Sequence, residues 1–308
     1  MSKEQRAQVN AMLRQPRPEG PRTVEALRAG FEALMSRTTT VPDGIRTTPA
    51  TLGNRPALHV TPTDGPRPGL ILYFHGGGWV VGSPESTMSL TGRLVTGTGF
   101  EAYSLDYRLA PEHPFPAAIE DGVSAYRALL DRGQDPSAIF FAGDSAGGGL
   151  AVTTCLAARD AGLPVPAAIV AFSPGLDATR TGESMDTKEG TDPIFTRASV
   201  EHTGAMYLAG ADPRQPLLSP AVLADLTGFP PMLIQVGTNE ILLDDSTRLA
   251  ARAWAAGVDV ILDVTADVPH VFQSFAGILD EADEALDRAA HFLSQRLRAA
   301  VAPRPSAQ

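Results

Sequence analysis

The apolar positions of this chain keep two periods. Near the start they recur every three or four residues. Val24, Leu27, Phe31 and Leu34 share one face of a helix predicted over 22–37, and another helix is predicted over 3–15. From "GIRTTPATLGNRPALHVTP" onward the pattern is that of strands. "PGLILYFH" and "FEAYSLDYR" are apolar runs too short for helices, and "PAAIEDGVSAYRALLDRG" returns to helical spacing. "AIFFAGDSAGGGLAVTTCLAARDAG" reads as strand, sharp turn and helix, and "AAIVAFSPGLD" as the next strand. A polar stretch punctuated by Gly and Pro over about 178–228 breaks the alternation. It resumes with strand "PMLIQVG", helix "DDSTRLAARAWAAG", strand "DVILDVT" and a closing helix over about 280–300.

Strands alternating with helices predict an α/β fold, a mainly parallel central sheet flanked by helices on both faces. Residues 1–40 and 178–228 have no place in those layers, so they are expected to pack together as a helical cap on one domain spanning 1–308. The tail "VAPRPSAQ" is expected to fray.

Composition narrows the range of partners. With 308 residues, 43% hydrophobic and 19% charged, the chain can bury a full core. A net charge of -10 and no basic stripe argue against nucleic acid or an anionic membrane as the main partner. The start, "MSKEQRAQVNAMLRQ", lacks the apolar centre of a signal peptide, and no apolar run approaches the roughly 18 residues of a membrane span, which makes the cytoplasm the simplest address. The one cysteine, Cys155, is expected as a buried thiol on a helix. Cys and His do not cluster at ligand spacing, so no metal is expected.

Parallel sheets place their ligand sites beyond the carboxyl ends of the strands. "GDSAG", residues 143–147, follows one such strand and opens a helix. The G-x-S-x-G spacing puts Ser145 on a turn so tight that neighbouring side chains must be small, which lifts its hydroxyl clear of the sheet. A serine hydroxyl needs a base, and the base needs a carboxylate to orient it. Of the six histidines, His59 lies in an early strand, His75 in a glycine run, His113 beside prolines, His202 in the capping stretch and His291 on the last helix. Only His270, in "DVPHVFQSF", follows the last predicted strand, and it is the expected base. For the acid, "GTNEILLDDS" offers Glu240, Asp244 and Asp245. Glu240 comes first after the strand and is preferred. Asp244 remains an alternative, one of the Asp244–Asp245 pair is expected to cap or open the next helix, and Asp263 and Asp267 are more distant choices.

The run "HGGGW", His75 to Trp79, also follows a strand. Attack by Ser145 on a carbonyl creates an oxyanion, which must be met by backbone N–H groups that no side chain obstructs. The amides of Gly76, Gly77 and Ala146 are the expected donors, with Gly78 giving the turn room and His75 bracing the loop. "GTGFEA", from Gly97 to Ala102, fits a dinucleotide fingerprint but precedes a strand, whereas a phosphate cradle must follow one.

Taken together, "HGGGW", "YRLAPEHPFPAAIED", "GDSAGG", "GTNEILLDDS" and "HVFQSF" resemble the hormone-sensitive-lipase-like esterases, the HGGG group of the α/β-hydrolase superfamily, also called bacterial family IV, over about 68–275. The resemblance implies an α/β-hydrolase fold with a helical cap, and a Ser145–Glu240–His270 triad hydrolysing short- to medium-chain carboxylic esters without a cofactor. It implies that "YRLAPEHPFP" is structural, with Asp106 and Glu112 bracing the oxyanion loop. Many members carry Asp where this chain has Glu240. Homodimers are common among such proteins. A lactone, carbamate or amide substrate would use the same acyl attack. A non-catalytic small-molecule receptor, like the related gibberellin receptors that lack the histidine, is opposed by His270.

Overall fold

The computed structural model describes residues 3–15 and 23–301, so the expectation for the tail, past its first residue Val301, lies outside the described residues. Helices α1 (Lys3–Leu13) and α2 (Val24–Thr38) precede a hairpin, β1 (Ile45–Leu52) and β2 (Arg55–Pro62), in which Leu52 pairs with Arg55 across Gly53 and Asn54. There follow β3 (Leu70–Phe74), α3 (Met88–Thr98), β4 (Glu101–Leu105), α4 (Ala117–Asp131), β5 (Ile139–Asp144), α5 (Ala146–Asp160) and β6 (Ala168–Phe172). The polar stretch carries α6 (Ser184–Thr187), α7 (Arg197–Leu208) and α8 (Pro220–Leu223), before β7 (Met232–Gly237), α9 (Leu243–Ala255), β8 (Val260–Thr265) and α10 (Asp280–Val301) close the chain.

The eight strands form one sheet in the order β1-β2-β4-β3-β5-β6-β7-β8. β2 pairs antiparallel with both neighbours, and every pairing from β4 to β8 is parallel. Strands β3, β5, β6 and β7 are buried at every position, as a sheet covered on both faces requires. Alternation divides their side chains between two cores. Leu70, Leu72 and Phe74 join α4, α5 and α9 on one face, and Ile71 and Tyr73 join α3 and α10 on the other. Cys155 is buried in the first of these cores, as expected.

Helix α3 was not legible in the pattern. "MSLTGRLVTGT" mixes Gly92 and Gly97 with three threonines, all weak helix formers, and eight of its eleven residues are buried, so its polar face is too narrow to mark a period. Tertiary packing decides its conformation. It ends on Gly99 in the left-handed region, φ 74°, and this is where "GTGFEA" falls: at the close of a helix and the start of β4, with no strand before it.

The segments outside the layers attach at different places. α1 buries Val9 and Leu13 in the α10-side core, and its Arg6 pairs with Glu281 at 2.8 Å. α2 sends Arg28 to the carbonyls of Val80 (3.0 Å) and Ala110 (3.2 Å) and to the Glu112 carboxylate (2.7 Å). The stretch after β6 builds a small core of its own, where Tyr207 and Leu218 pack on Val80 and Ala110. Arg14, just past α1, reaches the carbonyls of Gly190 and Thr191 at 3.2 and 2.7 Å.

Candidate active site

Between β5 and α5 the chain reverses at Ser145, which holds φ 53°, ψ -119°. This is a costly conformation for a residue with a Cβ, kept only where the surroundings over-determine it. They do so here because β3 and β5 approach the turn closely. A Cβ on Gly147 would stand against the carbonyl oxygens of Phe74 and His75, and one on Gly143 against the carbonyl of Gly147. The hydroxyl of Ser145 therefore rises from the carboxyl end of the central strand at the N-terminus of α5.

The structure brings the three triad candidates into one line. His270 Nε2 lies 2.8 Å from Ser145 Oγ, and His270 Nδ1 lies 2.8 Å from Glu240 Oε2. Glu240 is fully buried, and its other oxygen accepts from Ser173 Oγ at 2.7 Å and from the Gly237 amide. Ser173 Oγ in turn accepts from the Val271 amide at 3.0 Å, which fixes the histidine loop. Burial is the largest single influence on the imidazole and works against its charged form. The hydrogen bond and charge of Glu240, with the charges of Asp192 and Asp144 beyond, together outweigh it, so the pKa of His270 is raised.

The other acids are committed elsewhere. Asp244 accepts from the Ser184 amide at 2.9 Å, and Asp245 accepts from the amides of Leu176 (2.7 Å) and Asp177 (2.9 Å), with burial pushing its carboxyl up to about 6. Both occupy the first turn of α9, and neither caps it. Asp263 binds Gln235 and Arg288, and Asp267 lies at the surface 3.7 Å from Arg6. His59 pairs with Glu101, and His113, His202 and His291 are exposed.

One oxyanion expectation needs correction. The Gly76 amide donates to the Asp144 carboxylate at 3.1 Å, which also accepts from Tyr73 Oη at 2.8 Å, so this N–H is spent on holding the loop. Burial raises the Asp144 carboxyl to about 6. Among the described residues, no protein acceptor takes the amides of Gly77, Gly78 or Ala146. Gly77 and Gly78 adopt φ 123° and 61°, open to glycine, and turn the chain so that these amides follow one another. The Gly78 amide is thus left free where that of Gly76, an expected donor, is not.

His75 braces the loop as expected. Its ring stacks on Tyr107 with centroids 4.1 Å apart, Nδ1 lies 2.7 Å from the Gly76 carbonyl, and burial lowers its pKa to about 4, so it stays neutral. Glu112 braces indirectly, through Arg28 and the Val80 carbonyl. For Asp106, the backbone carbonyl rather than the carboxylate makes the recorded contact, to Arg55 at 3.0 Å.

Sequence reasoning missed the residues that hold the others in place: Asp144, Ser173 and Asp192. Ser173 follows β6, so the rule that pointed to Ser145 would have reached it too. Asp192, which accepts from the Ile241 amide at 3.0 Å, carries no such signal. The Phe195 ring lies edge-on to His270, centroids 4.7 Å apart, and Trp79 stacks on Tyr207 at 4.5 Å.

Comparison with known proteins supplies a frame for this geometry. The family described as alpha/beta hydrolase fold matches residues 71–274. The chain is similar to the acetyl-hydrolase of Streptomyces hygroscopicus, 44% identical over 223 residues, covering 72% of this chain and 74% of that one. It is similar to the carboxylesterase NlhH of Mycobacterium tuberculosis, 34% identical over 238 residues, 75% of this chain and 74% of the other. The crystal structure of an esterase from the bacterial hormone-sensitive lipase family matches with a TM-score of 0.92 at 41% identity, over 96% of this chain and 99% of that one.

Proposed function

The chain belongs to the α/β-hydrolase-fold family, among the esterases related to bacterial hormone-sensitive lipases, and hydrolyses carboxylic esters; we propose that Ser145, His270 and Glu240 carry that reaction. The observation that supports the assignment most is the unbroken line from Ser145 Oγ through both ring nitrogens of His270 to Glu240, each step 2.8 Å. His270 Nε2 takes the serine proton as Oγ attacks the ester carbonyl. Glu240 keeps the other ring nitrogen protonated and stabilises the imidazolium that forms. The oxyanion is held by the amides of Gly77, Gly78 and Ala146, and His270 returns its proton to the departing alcohol. Water, activated by the same histidine, then frees the acid from Ser145.

In this reading the cap expected from about 1–40 and 178–228 is made by α2 and 178–228, while α1 packs against α10, and the acyl groups accepted are short to medium. The name acetyl-hydrolase carried by a relative supports the acyl range. So does the modest size, about 160 Å³, of the cavity beside Trp79. The non-catalytic receptor reading loses its basis with His270 in reach of Ser145.

The test is a rate series on p-nitrophenyl esters from acetate to palmitate, with Ser145→Ala alongside. Turnover that peaks at short or medium chains and disappears in the variant is the expected result. A folded wild type inert on every ester would overturn the proposal.

A further inference from the structure

The cavity beside Trp79 contains a guanidinium, that of Arg180, that no described carboxylate meets at ion-pair distance, though its charge acts on the buried Asp245. The cavity lies between α5, α7 and α8, and its lining includes Trp79, Gly175 and Arg180. Trp79 and Gly175 adjoin the nucleophile: Trp79 directly follows the oxyanion glycines, and the Gly175 amide donates to the Ser145 carbonyl at 3.1 Å. Among the described residues, no carboxylate lies within ion-pair distance of the Arg180 guanidinium, and no acceptor takes its N–H groups.

The turn that presents Arg180 is built by a buried carboxylate. Asp177 is 1% exposed. Oδ1 accepts from the Thr179 amide (2.9 Å) and hydroxyl, and Oδ2 accepts from the Thr181 amide (3.2 Å), the Thr181 hydroxyl (3.0 Å) and Arg248 (3.0 Å). Within this cage Arg180 takes φ 54°, a strained value for its type, and its Nη2 extends toward Gly204 of α7. Two acids, Asp177 and Glu201, also line the cavity, and the Arg180 charge acts on Asp245, but the polar contacts of all three carboxylates go elsewhere. Both oxygens of Asp177 are taken, Asp245 is held by two backbone amides, and Glu201 leans on Arg197 at 3.6 Å.

We propose that Arg180 selects esters whose acyl chain ends in an anionic group, a dicarboxylic acid monoester being the simplest, by pairing with that group in this cavity. The assignment to the acyl side follows from the geometry of proton transfer. The alcohol must leave beside His270 Nε2, and although neither Ser145 nor His270 lines the cavity, its link to the site runs through Trp79 and Gly175 on the side of the oxyanion glycines and the Ser145 carbonyl. A guanidinium offers paired donors to a carboxylate, and a partly enclosed one attracts it more strongly than a surface lysine would. The reaction remains hydrolysis: the acyl–oxygen bond breaks, water supplies the acid's new oxygen, and ethanol, dicarboxylate and one proton are released.

This inference rests on the proposed triad, and the experiment separates the two. Ethyl monoesters of C4 to C8 dicarboxylic acids are compared in a pH-stat with the neutral ethyl esters of equal acyl length. The quantity read is the ratio of kcat/KM, charged over neutral, so that any general loss of enzyme cancels. The wild type is expected to favour the charged ester at one chain length. Arg180→Gln is expected to cut the ratio about tenfold or more, mainly through KM, and Arg180→Lys to restore part of it. Gly175→Leu, whose Cβ would meet only the Trp79 ring at 3.5 Å, fills the space beside Trp79 and is expected to remove the length optimum. Neutral esters hydrolysed without any preference for the charged series, or a ratio unchanged in Arg180→Gln, would overturn the role of Arg180 alone. Failure on the neutral esters would overturn the triad proposal instead.

Discussion

The end of the sheet that carries Ser145 and the segment after β6 that covers it are held by different forces. At the carboxyl ends of the strands, Ser145 and Glu240 follow strands buried along their whole length, His270 follows the partly exposed β8, and two apolar cores lie on the two faces of the sheet. In the segment around 177–223 the apolar cores are small, and carboxylates bonded to backbone amides add to them: Asp245 to Leu176 and Asp177, Asp244 to Ser184, and Asp192 to Ile241 at 3.0 Å. Apolar packing is insensitive to which ester arrives, and it keeps the reacting atoms fixed. Directional polar anchoring lets a cover of irregular chain be shaped residue by residue. On the proposed function, the difference separates a part that carries the chemistry from a part that selects the substrate.

The largest effect should come from the sheet edge. Ser145→Ala removes the attacking oxygen and is expected to lower kcat by about 10⁴-fold or more, with thermal unfolding near that of the wild type. Burst kinetics with a chromogenic ester, present in the wild type and absent in the variant, check that the lost step is acylation. Residual turnover within tenfold of the wild type would break the comparison at its first term.

Next in size is the contrast between two acids four residues apart. Glu240→Gln keeps the shape but loses the charge that stabilises the imidazolium, and should cost about 10²- to 10⁴-fold in kcat. Asp244→Asn should leave kcat on acetate within about threefold, because its carboxylate faces Ser184 rather than His270. Steady-state rates on p-nitrophenyl acetate decide the matter, and a larger loss in Asp244→Asn would reverse the assignment.

The same division governs what could be read in advance. The strands of the central sheet, the turn at Ser145 and the order of serine, acid and histidine were legible because each leaves a local mark: a continuous apolar run, small residues around a nucleophile, a polar residue just past a strand. Glu240 could be preferred over Asp244 on position alone, but only the hydrogen bond to His270 Nδ1 separates them in space. Gly76 could not be told from Gly78, because glycine carries no side chain to show which way its amide points, and the acceptor that takes it, Asp144, lies 68 residues away. α3 left no period, being buried at eight of its eleven residues. The anchors of the covering segment were invisible for a related reason: a carboxylate bonding to backbone amides leaves no pattern at the residues it holds.

A third prediction concerns that segment directly. Asp177→Asn withdraws a charge from four hydrogen bonds within the turn and from Arg248, and should lower stability by about 1–3 kcal/mol. If the polar cage shapes selection and leaves chemistry alone, kcat on acetate changes little while KM for longer acyl chains rises. Urea unfolding and a chain-length series measure the two, and an equal fall of kcat on every ester would mean that the covering segment also positions the reacting atoms.

The smallest expected effect is a shift in the acid limb of the pH profile. His270 must be neutral to take the serine proton, so kcat/KM falls as pH drops through its pKa in the free enzyme. Burial alone would push that pKa below the ordinary 6.5, but Glu240, Asp192 and Asp144 together pull it above, so the wild-type midpoint is expected above 6.5. Glu240→Gln removes the strongest of the raising influences while leaving the burial, so the midpoint should move downward even as the rate collapses. Asp192→Asn removes a more distant charge, and its downward shift should be smaller than that of Glu240→Gln. Profiles of kcat/KM from pH 4 to 9 for the three proteins put the acids in order. If both variants kept the wild-type midpoint, the titrating group would not be the histidine that Glu240 holds, and the sheet edge would lose its claim to set the chemistry.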